Sequence, residues 1–287
     1  MARHFREPED VPAAQPAVPL RPVAPQRAPE PERRPKSNLI SNILIAVGVI
    51  MLLVAGGLWL HAQWQYRQQD EVNQRLAAYA KVSDDEEVVP EVDWEGLRAI
   101  NDDVVAWIQI PGTVVNYPVY QGTDNEYYLD NTAEGVYGVG GQIFLDYQCT
   151  APGLVDQNSI IYGHHLKNGA MFKQVADMDQ QDFFDTINTI WYVTPEEAIE
   201  LEPLFVFYTN GDDTTLRQFT FGTPEEFHNY LMERLQDAPA AAVDAELIAS
   251  QCEHVITLST CNYIEGYGRT ELVCVPKTEA ADIRAAA

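Results

Sequence analysis

Four cysteines and six histidines are the residues here best suited to nucleophilic and acid–base chemistry. Two segments put members of these sets where chemistry needs them. Cys261 ends the β-rich run His254-Val-Ile-Thr-Leu-Ser-Thr and is followed by a turn-like stretch, Asn262–Gly268. A thiol at a strand end is held by a rigid element yet stays exposed, which suits a nucleophile. The thiolate is the reactive form, so a base or positive charge must lie nearby. His164 and His165 end a second apolar run, Ile160-Ile-Tyr, just after Gly163. Successive residues of a strand point to opposite faces, and no acid or histidine at ligand spacing accompanies the pair, so a metal is disfavoured. Arg269 follows Cys261 by eight residues, after Gly266-Tyr267-Gly268. A loop of that length returns the chain antiparallel and sets Arg269 beside Cys261 on the next strand. Taken singly, each has a plainer reading: a structural thiol, a polar pair at a turn, a surface charge.

The other members of these sets are less suited. His4 and His61 lie before or at the end of an apolar span, His228 in an amphipathic helix and His254 ahead of a strand. Cys149, Cys252 and Cys274 form no Cys-x-x-Cys pair, which argues against a zinc ribbon or a thioredoxin-type site. They read as small packed residues, and Cys274 alternates with Leu272 in a strand. A Cys149–Cys252 bridge stays open.

The elements that must position these groups are mostly strands. Candidate strands are 104–110, 114–120, 142–146, 159–162, 189–194, 198–208, 216–221, 254–260 and 270–276, separated by turn signals such as Pro111-Gly112. Asp93 suits the cap of a short helix, Trp94 to Asn101, and a second short helix is expected over 171–178. Thr223-Pro224-Glu225-Glu226 opens a longer one, reaching Leu235, with a capping threonine, proline at the first position and acids in the first turn. Many short strands with few helices imply a mainly β domain, a closed barrel or a sandwich, over residues 93–277. Residues 278–287 read as a flexible tail.

Charge sets the wider organisation. The chain of 287 residues carries a net charge of −25, which excludes a nucleic-acid binder, since phosphate recognition needs a basic face. Residues 1–38 nonetheless hold seven basic and five acidic side chains, a balance of +2 that leaves −27 on the rest. That tail is rich in Pro, Ala and Arg and reads as disordered. Between the two parts no charged residue occurs from Ser37 to Tyr66. Its apolar run is long enough to cross a bilayer, so residues 39–61 read as a transmembrane signal anchor, with Trp59 and Trp64 at interfacial depth. Arg33, Arg34 and Lys36 just before the span put the N-terminus in the cytoplasm and the acidic bulk outside. Residues 62–92 are expected as a helical stalk and a solvated acidic linker, Ser83–Glu91.

Taken together, Thr257-Leu-Ser-Thr-Cys261, Arg269 and Tyr162-Gly-His164-His resemble the signature of the sortases. The segments Asn101–Leu129 and Gly141-Gln-Ile-Phe-Leu-Asp146, and the helix before the cysteine strand, resemble class B sortases over roughly Trp94 to Pro276. The resemblance implies an eight-stranded sortase-type β-barrel with added helices, preceded by the transmembrane helix, and a cysteine transpeptidase of the Gram-positive cell surface. By motif position Cys261 is the nucleophile, His164 the general acid/base and Arg269 the oxyanion and substrate stabiliser. Ser259, Thr260, Asn125 and Leu129 match groove positions that bind substrate. No cofactor or metal is implied.

Such an enzyme cleaves a sorting motif, of an Asn-Pro-x-Thr type, in secreted proteins through a thioester and transfers them to an amine acceptor. The acceptor is the peptidoglycan precursor or, in a pilin-polymerising sortase, a lysine of a pilin. A non-catalytic surface binding module and a plain cysteine protease are the readings from other classes. The intact Cys261, His164 and Arg269 argue against the first, and transfer to an added amine would argue against the second.

Overall fold

The computed structural model describes residues 38–211, 213–262, 264 and 268–287. All but the last residue of the expected cytoplasmic tail, 1–38, thus lies outside the described residues. The chain divides into two units at Leu53. In the first, the described residues beyond Asn38 are the opening turns of one helix, α1 (Leu39–Ala77). The most apolar part of α1 has a mean hydropathy of 2.7 and no buried residue.

The second unit is built on eight strands: β1 (Val104–Gln109), β2 (Asn116–Tyr120), β3 (Ile143–Leu145), β4 (Asn158–Tyr162), β5 (Ile190–Val193), β6 (Ala198–Thr209), β7 (Val255–Cys261) and β8 (Arg269–Pro276). They hydrogen-bond in the order β8-β7-β4-β3-β2-β1-β5-β6, and β6 pairs back onto β8. The eight-stranded barrel is therefore closed, and among the described residues its first and last strands leave no edge open to another chain. A two-residue strand, Ala240–Ala241, adds to β6. Two neighbouring pairs run parallel, β4 with β7 and β2 with β3; the rest are antiparallel. Side chains alternate across the sheet. Trp107, Phe144, Ile160 and Tyr162 thus fall in one apolar cluster, and Ile108, Ile143, Leu145 and Ile161 in the other.

Local chemistry explains the helix ends. Asp93 caps α2 (Trp94–Ile100) by accepting from the Gly96 N–H at 3.0 Å. Short helices α3 (Tyr127–Asp130), α4 (Lys173–Asp177) and α5 (Gln181–Phe184) lie in the connections, as does α7 (Ala245–Ala249). Thr223 caps α6 (Pro224–Leu235), its Oγ1 accepting from the Glu226 N–H at 3.2 Å, and α6 buries Phe227, Tyr230 and Leu231.

Three segments depart from the sequence reading. Residues 216–221 form no strand. Thr214–Arg217 make one 3₁₀ turn, with Asp213 accepting from the Thr215 N–H. Beyond it the backbone is occupied by neighbours: the Gln218 carbonyl accepts from Asn158 Nδ2, the Phe219 carbonyl from the Asn158 N–H, and the Phe221 N–H donates to Gln157 Oε1. The C-terminal residues are not frayed but form α8 (Lys277–Ala286), because Ala280 and Ile283 are buried. Arg284 pairs there with Asp244 and Glu202.

The acidic segment is the third. Ala80–Lys81 pairs antiparallel with Glu91–Val92, bracketing it. Between them the Ser83 carbonyl accepts from Gln109 Nε2 at 2.6 Å and the Glu86 carbonyl from Trp191 Nε1 at 3.2 Å. Residues 83–91 are therefore docked onto the barrel rather than solvated throughout. The preceding part of α1 buries Gln69, Val72 and Leu76, the last two in the same cluster as Trp107. A buried Leu→Ala change typically loses about 2–5 kcal/mol. Leu76→Ala should therefore lower the melting temperature of the folded unit clearly, whereas a stalk that serves only as a spacer would leave it unmoved.

Candidate active site

Strand register brings the chemistry together. Cys261 and Arg269 are directly paired across the antiparallel β7–β8 ladder. The parallel β4–β7 ladder pairs Ser259 with Tyr162. Cys261 lies two residues beyond Ser259 and His164 two beyond Tyr162, so both emerge at the same end of the ladder. Gly163 extends the pairing one step by donating to the Ser259 carbonyl at 3.0 Å. Its small size matters, since a β-carbon there would sit 2.5 Å from the Phe172 ring.

The two histidines diverge. His164 lines a cleft of about 230 Å³ and donates from Nε2 to the Leu129 carbonyl at 2.8 Å. His165 donates from Nδ1 to the backbone carbonyl of Cys261 at 2.9 Å. A carbonyl only accepts, so each contact fixes which ring nitrogen carries hydrogen. His164 thus carries hydrogen on Nε2, and Nδ1 is the ring nitrogen that this contact does not occupy.

All seven site residues expected from the sequence line this cleft: Cys261, His164, Arg269, Ser259, Thr260, Asn125 and Leu129. Their polar groups are not equally free. Asn125 donates from Nδ2 to Asp146 at 2.7 Å and accepts from the Tyr147 N–H at 3.0 Å. Ser259 is buried and donates from Oγ to Glu271 at 3.1 Å. Both side chains therefore serve the wall of the cleft. Leu129 presents an exposed side chain, and the buried Thr260 Oγ1 has no hydrogen-bond partner among the described residues.

Sequence reasoning missed the polar groups beneath. Asp146 is fully buried and accepts from Arg217 Nε at 2.8 Å and Nη2 at 3.1 Å, from Asn125 and from the Tyr162 hydroxyl at 3.0 Å. A buried carboxylate is tolerated when paired this fully. The hydrogen bonds to Asp146 hold Arg217 more firmly charged than usual. The Tyr162 ring lies under the Arg269 guanidinium, 5.7 Å from its centroid, within the range of a cation–π contact. Its only sequence signal was position, at the end of the strand leading to His164.

Glu271 sits two residues below the Cys261–Arg269 pair, opposite Ser259. Its Oε1 accepts from Ser259 and from Thr209 Oγ1 at 3.0 Å, while Oε2 is buried with no partner among the described residues. Burial pushes its carboxyl up to about 8, against the pull of those hydrogen bonds and of Arg269. The remaining cysteines are free, and burial raises Cys149 and Cys252 to about 12 and Cys274 further still. Cys261 is the exposed thiol. Cys149 and Cys252 belong to different apolar clusters and form no bridge.

The sortase domain family matches residues 108–276. The sortase B of Listeria monocytogenes is 30% identical over 79% of this chain and 94% of its own length. Among solved structures, sortase B from B. anthracis aligns with a TM-score of 0.61 at 25% identity, covering 74% of this chain and 99% of that one. A Staphylococcus aureus sortase B–substrate complex aligns with a TM-score of 0.56 at 27% identity, covering 63% and 83%.

Two measurements probe the electrostatics. A thiol reagent should modify one cysteine quickly in the native protein and all four after unfolding; rapid native labelling of a second would contradict the burial of the others. Folding also retains a proton on Glu271 up to about pH 8, while the unfolded chain gives it up near its ordinary value of 4.5. The stability this group confers is therefore complete below pH 4.5 and drains away as pH rises to about 8. Glu271→Gln, which cannot ionise, should match the parent in melting temperature near pH 4.5 and exceed it increasingly toward pH 9.

Proposed function

This chain belongs to the sortase family, in its B class, and from that premise we propose a membrane-anchored transpeptidase that joins secreted proteins to an amine of the cell wall. The observation that carries this reading is the meeting of three strand ends: Cys261 paired with Arg269, and His164 beside them through the parallel β4–β7 ladder, all on one cleft.

In this reading the Cys261 thiolate attacks the carbonyl carbon of the threonine in the sorting motif. Arg269 faces the oxyanion that forms, with a planar guanidinium whose N–H groups fork toward it. Collapse of the intermediate breaks the peptide C–N bond, and His164 gives its Nδ1 proton to the departing amine. The product is a thioester on Cys261. An incoming amine attacks the thioester carbonyl and yields its proton to His164, and the C–S bond breaks to restore the thiolate. Leu129, Thr260 and the face of the cleft carrying Ser259 and Asn125 receive the motif. An Asn-Pro-x-Thr-type peptide is the proposed donor, and the peptidoglycan precursor the proposed acceptor.

Residues 39–61 cross the membrane once. The basic flank of Arg33, Arg34 and Lys36 keeps the N-terminus in the cytoplasm, and the residues carrying −27 work outside. A similar structure is a sortase B–substrate complex of S. aureus, which supports a substrate-binding role for the cleft here.

The test uses the full chain in detergent micelles with a fluorogenic sorting peptide, with and without an added amine. Cys261→Ala should abolish both cleavage and transfer. Removing one oxyanion donor costs roughly 10²–10³ in kcat, so Arg269→Ala should fall by about that factor, with Arg269→Lys between. Cleavage that survived Cys261→Ala would end the assignment, and cleavage without transfer to any amine would make the protein a hydrolase.

A further inference from the structure

Gln69 lies on α1, far along the chain from every residue of the cleft, yet it is only 1% exposed. A buried primary amide is costly unless satisfied. Here it is fully used. Its Oε1 accepts from the Gly140 N–H at 3.1 Å, and its Nε2 donates to the Gly141 carbonyl and to Asn73 Oδ1, each at 3.1 Å. The amide thus grips the N–H of one residue and the carbonyl of the next in one turn.

That turn is pressed against the acceptor of His164. Gly141 has φ +50°, and a β-carbon there would lie 2.0 Å from the Tyr128 carbonyl oxygen and 2.5 Å from that of Leu129. The adjacent Gln142 N–H donates to the Tyr128 carbonyl at 2.9 Å, and the Gly138 N–H to the Asp130 carbonyl at 2.9 Å. The backbone on both sides of Leu129 is therefore tied to residues 138–142. The Leu129 carbonyl in turn accepts from His164 Nε2. A second set of contacts joins α1 to the loop after His164: Asn168 Nδ2 donates to Asp70 at 3.2 Å, and Asn73 Nδ2 lies 3.5 Å from Met171 Sδ. The loop returns to His164, whose carbonyl accepts from the Phe172 N–H at 2.9 Å.

We propose that Gln69 is a positioning residue for His164: through Gly140 and Gly141 it fixes the Leu129 carbonyl, which holds the imidazole in the tautomer that turns Nδ1 to the reaction. The segment read from sequence as a stalk is then part of the catalytic apparatus. This rests on the acid–base role given to His164 above.

The experiment uses the full chain in micelles. A misplacement of about 1 Å can cost ~10²-fold in rate. Gln69→Ala should lower kcat for the sorting peptide by about 10- to 100-fold, with KM changed by no more than about two-fold. Gln69→Glu keeps the acceptor for the Gly140 N–H but loses the donor to the Gly141 carbonyl, and should lie between. Gly141→Ala disturbs the same carbonyl from the turn side, with every α1 side chain unchanged, and should reproduce the kcat loss. Histidine ¹⁵N spectra, with His164 identified by its loss in His164→Asn, should show the Nε2–H tautomer in the parent and a mixture in Gln69→Ala. Full kcat in both Gln69→Ala and Gly141→Ala would overturn the proposal. So would a loss that only tracks the folded fraction, with the His164 signals unchanged. Activity surviving in Cys261→Ala would instead strike the enzymatic reading, so the two failures are distinguishable.

Discussion

The parallel pairing of β4 with β7 is the constraint on which the site depends. Antiparallel β7 and β8 are joined by a short loop, so Cys261 and Arg269 meet by local geometry. His164 has no such route, being almost a hundred residues earlier in the chain. It reaches Cys261 because Asn158 pairs with Val255 and Tyr162 with Ser259, two parallel strands ending level. Side chains alternate with a period of two, so a slip of one residue would turn Ser259 and Cys261 to the opposite face. Burial of both faces resists that slip. Ile256 and Leu258 fill one apolar cluster and Val255 the other. The buried Asn158 adds a polar lock, accepting from Thr257 Oγ1 at 2.9 Å and donating to the Gln218 carbonyl.

Polar groups under the cleft are arranged by the same register. Asp146 follows β3 and joins Arg217, Asn125 and Tyr162. Three separate segments are thereby fixed around one carboxylate, and the Tyr162 ring is held where Arg269 covers it. Glu271 is the counterpart in the β7–β8 ladder and is less completely satisfied. Its raised carboxyl value follows from burial, which its two hydroxyl donors and the more distant Arg269 offset only in part. Held neutral at moderate pH, it offers Arg269 no competing carboxylate two residues along the strand.

The sequence made the strand ends legible because their signals are local. Cys261, His164 and Arg269 each close or open an apolar run beside glycine or a turn, and the capped helix at Thr223 was equally local. What stayed hidden was decided by distant partners. Residues 216–221 have the β-rich composition of a strand, but Asn158 and Gln157 occupy their backbone groups. Glu271 is a charged residue within the strand 270–276, with no local signal of burial; barrel closure by β6 buries it. In α1 the buried positions are Gln69, Val72 and Leu76, a stripe with spacings of three and four whose first member is polar. Hydropathy cannot separate such a helix from a solvated stalk, because its burial is secured by two backbone groups of a glycine turn.

Cysteine placement completes the chemistry from the opposite direction. On the proposed outer face of the membrane, an exposed thiol risks capture by a second thiol of the same chain. Exchange proceeds through a thiolate and needs contact between sulfurs. Cys149, Cys252 and Cys274 are buried, and burial holds each in its protonated form far above neutral pH. They are also divided between two apolar clusters, Cys149 and Cys274 in one and Cys252 in the other. Each therefore packs as a small apolar side chain and offers Cys261 no accessible thiolate. The strand end that exposes Cys261 and the barrel that seals the other three act together, and reactivity is confined to one sulfur by burial without any disulfide framework.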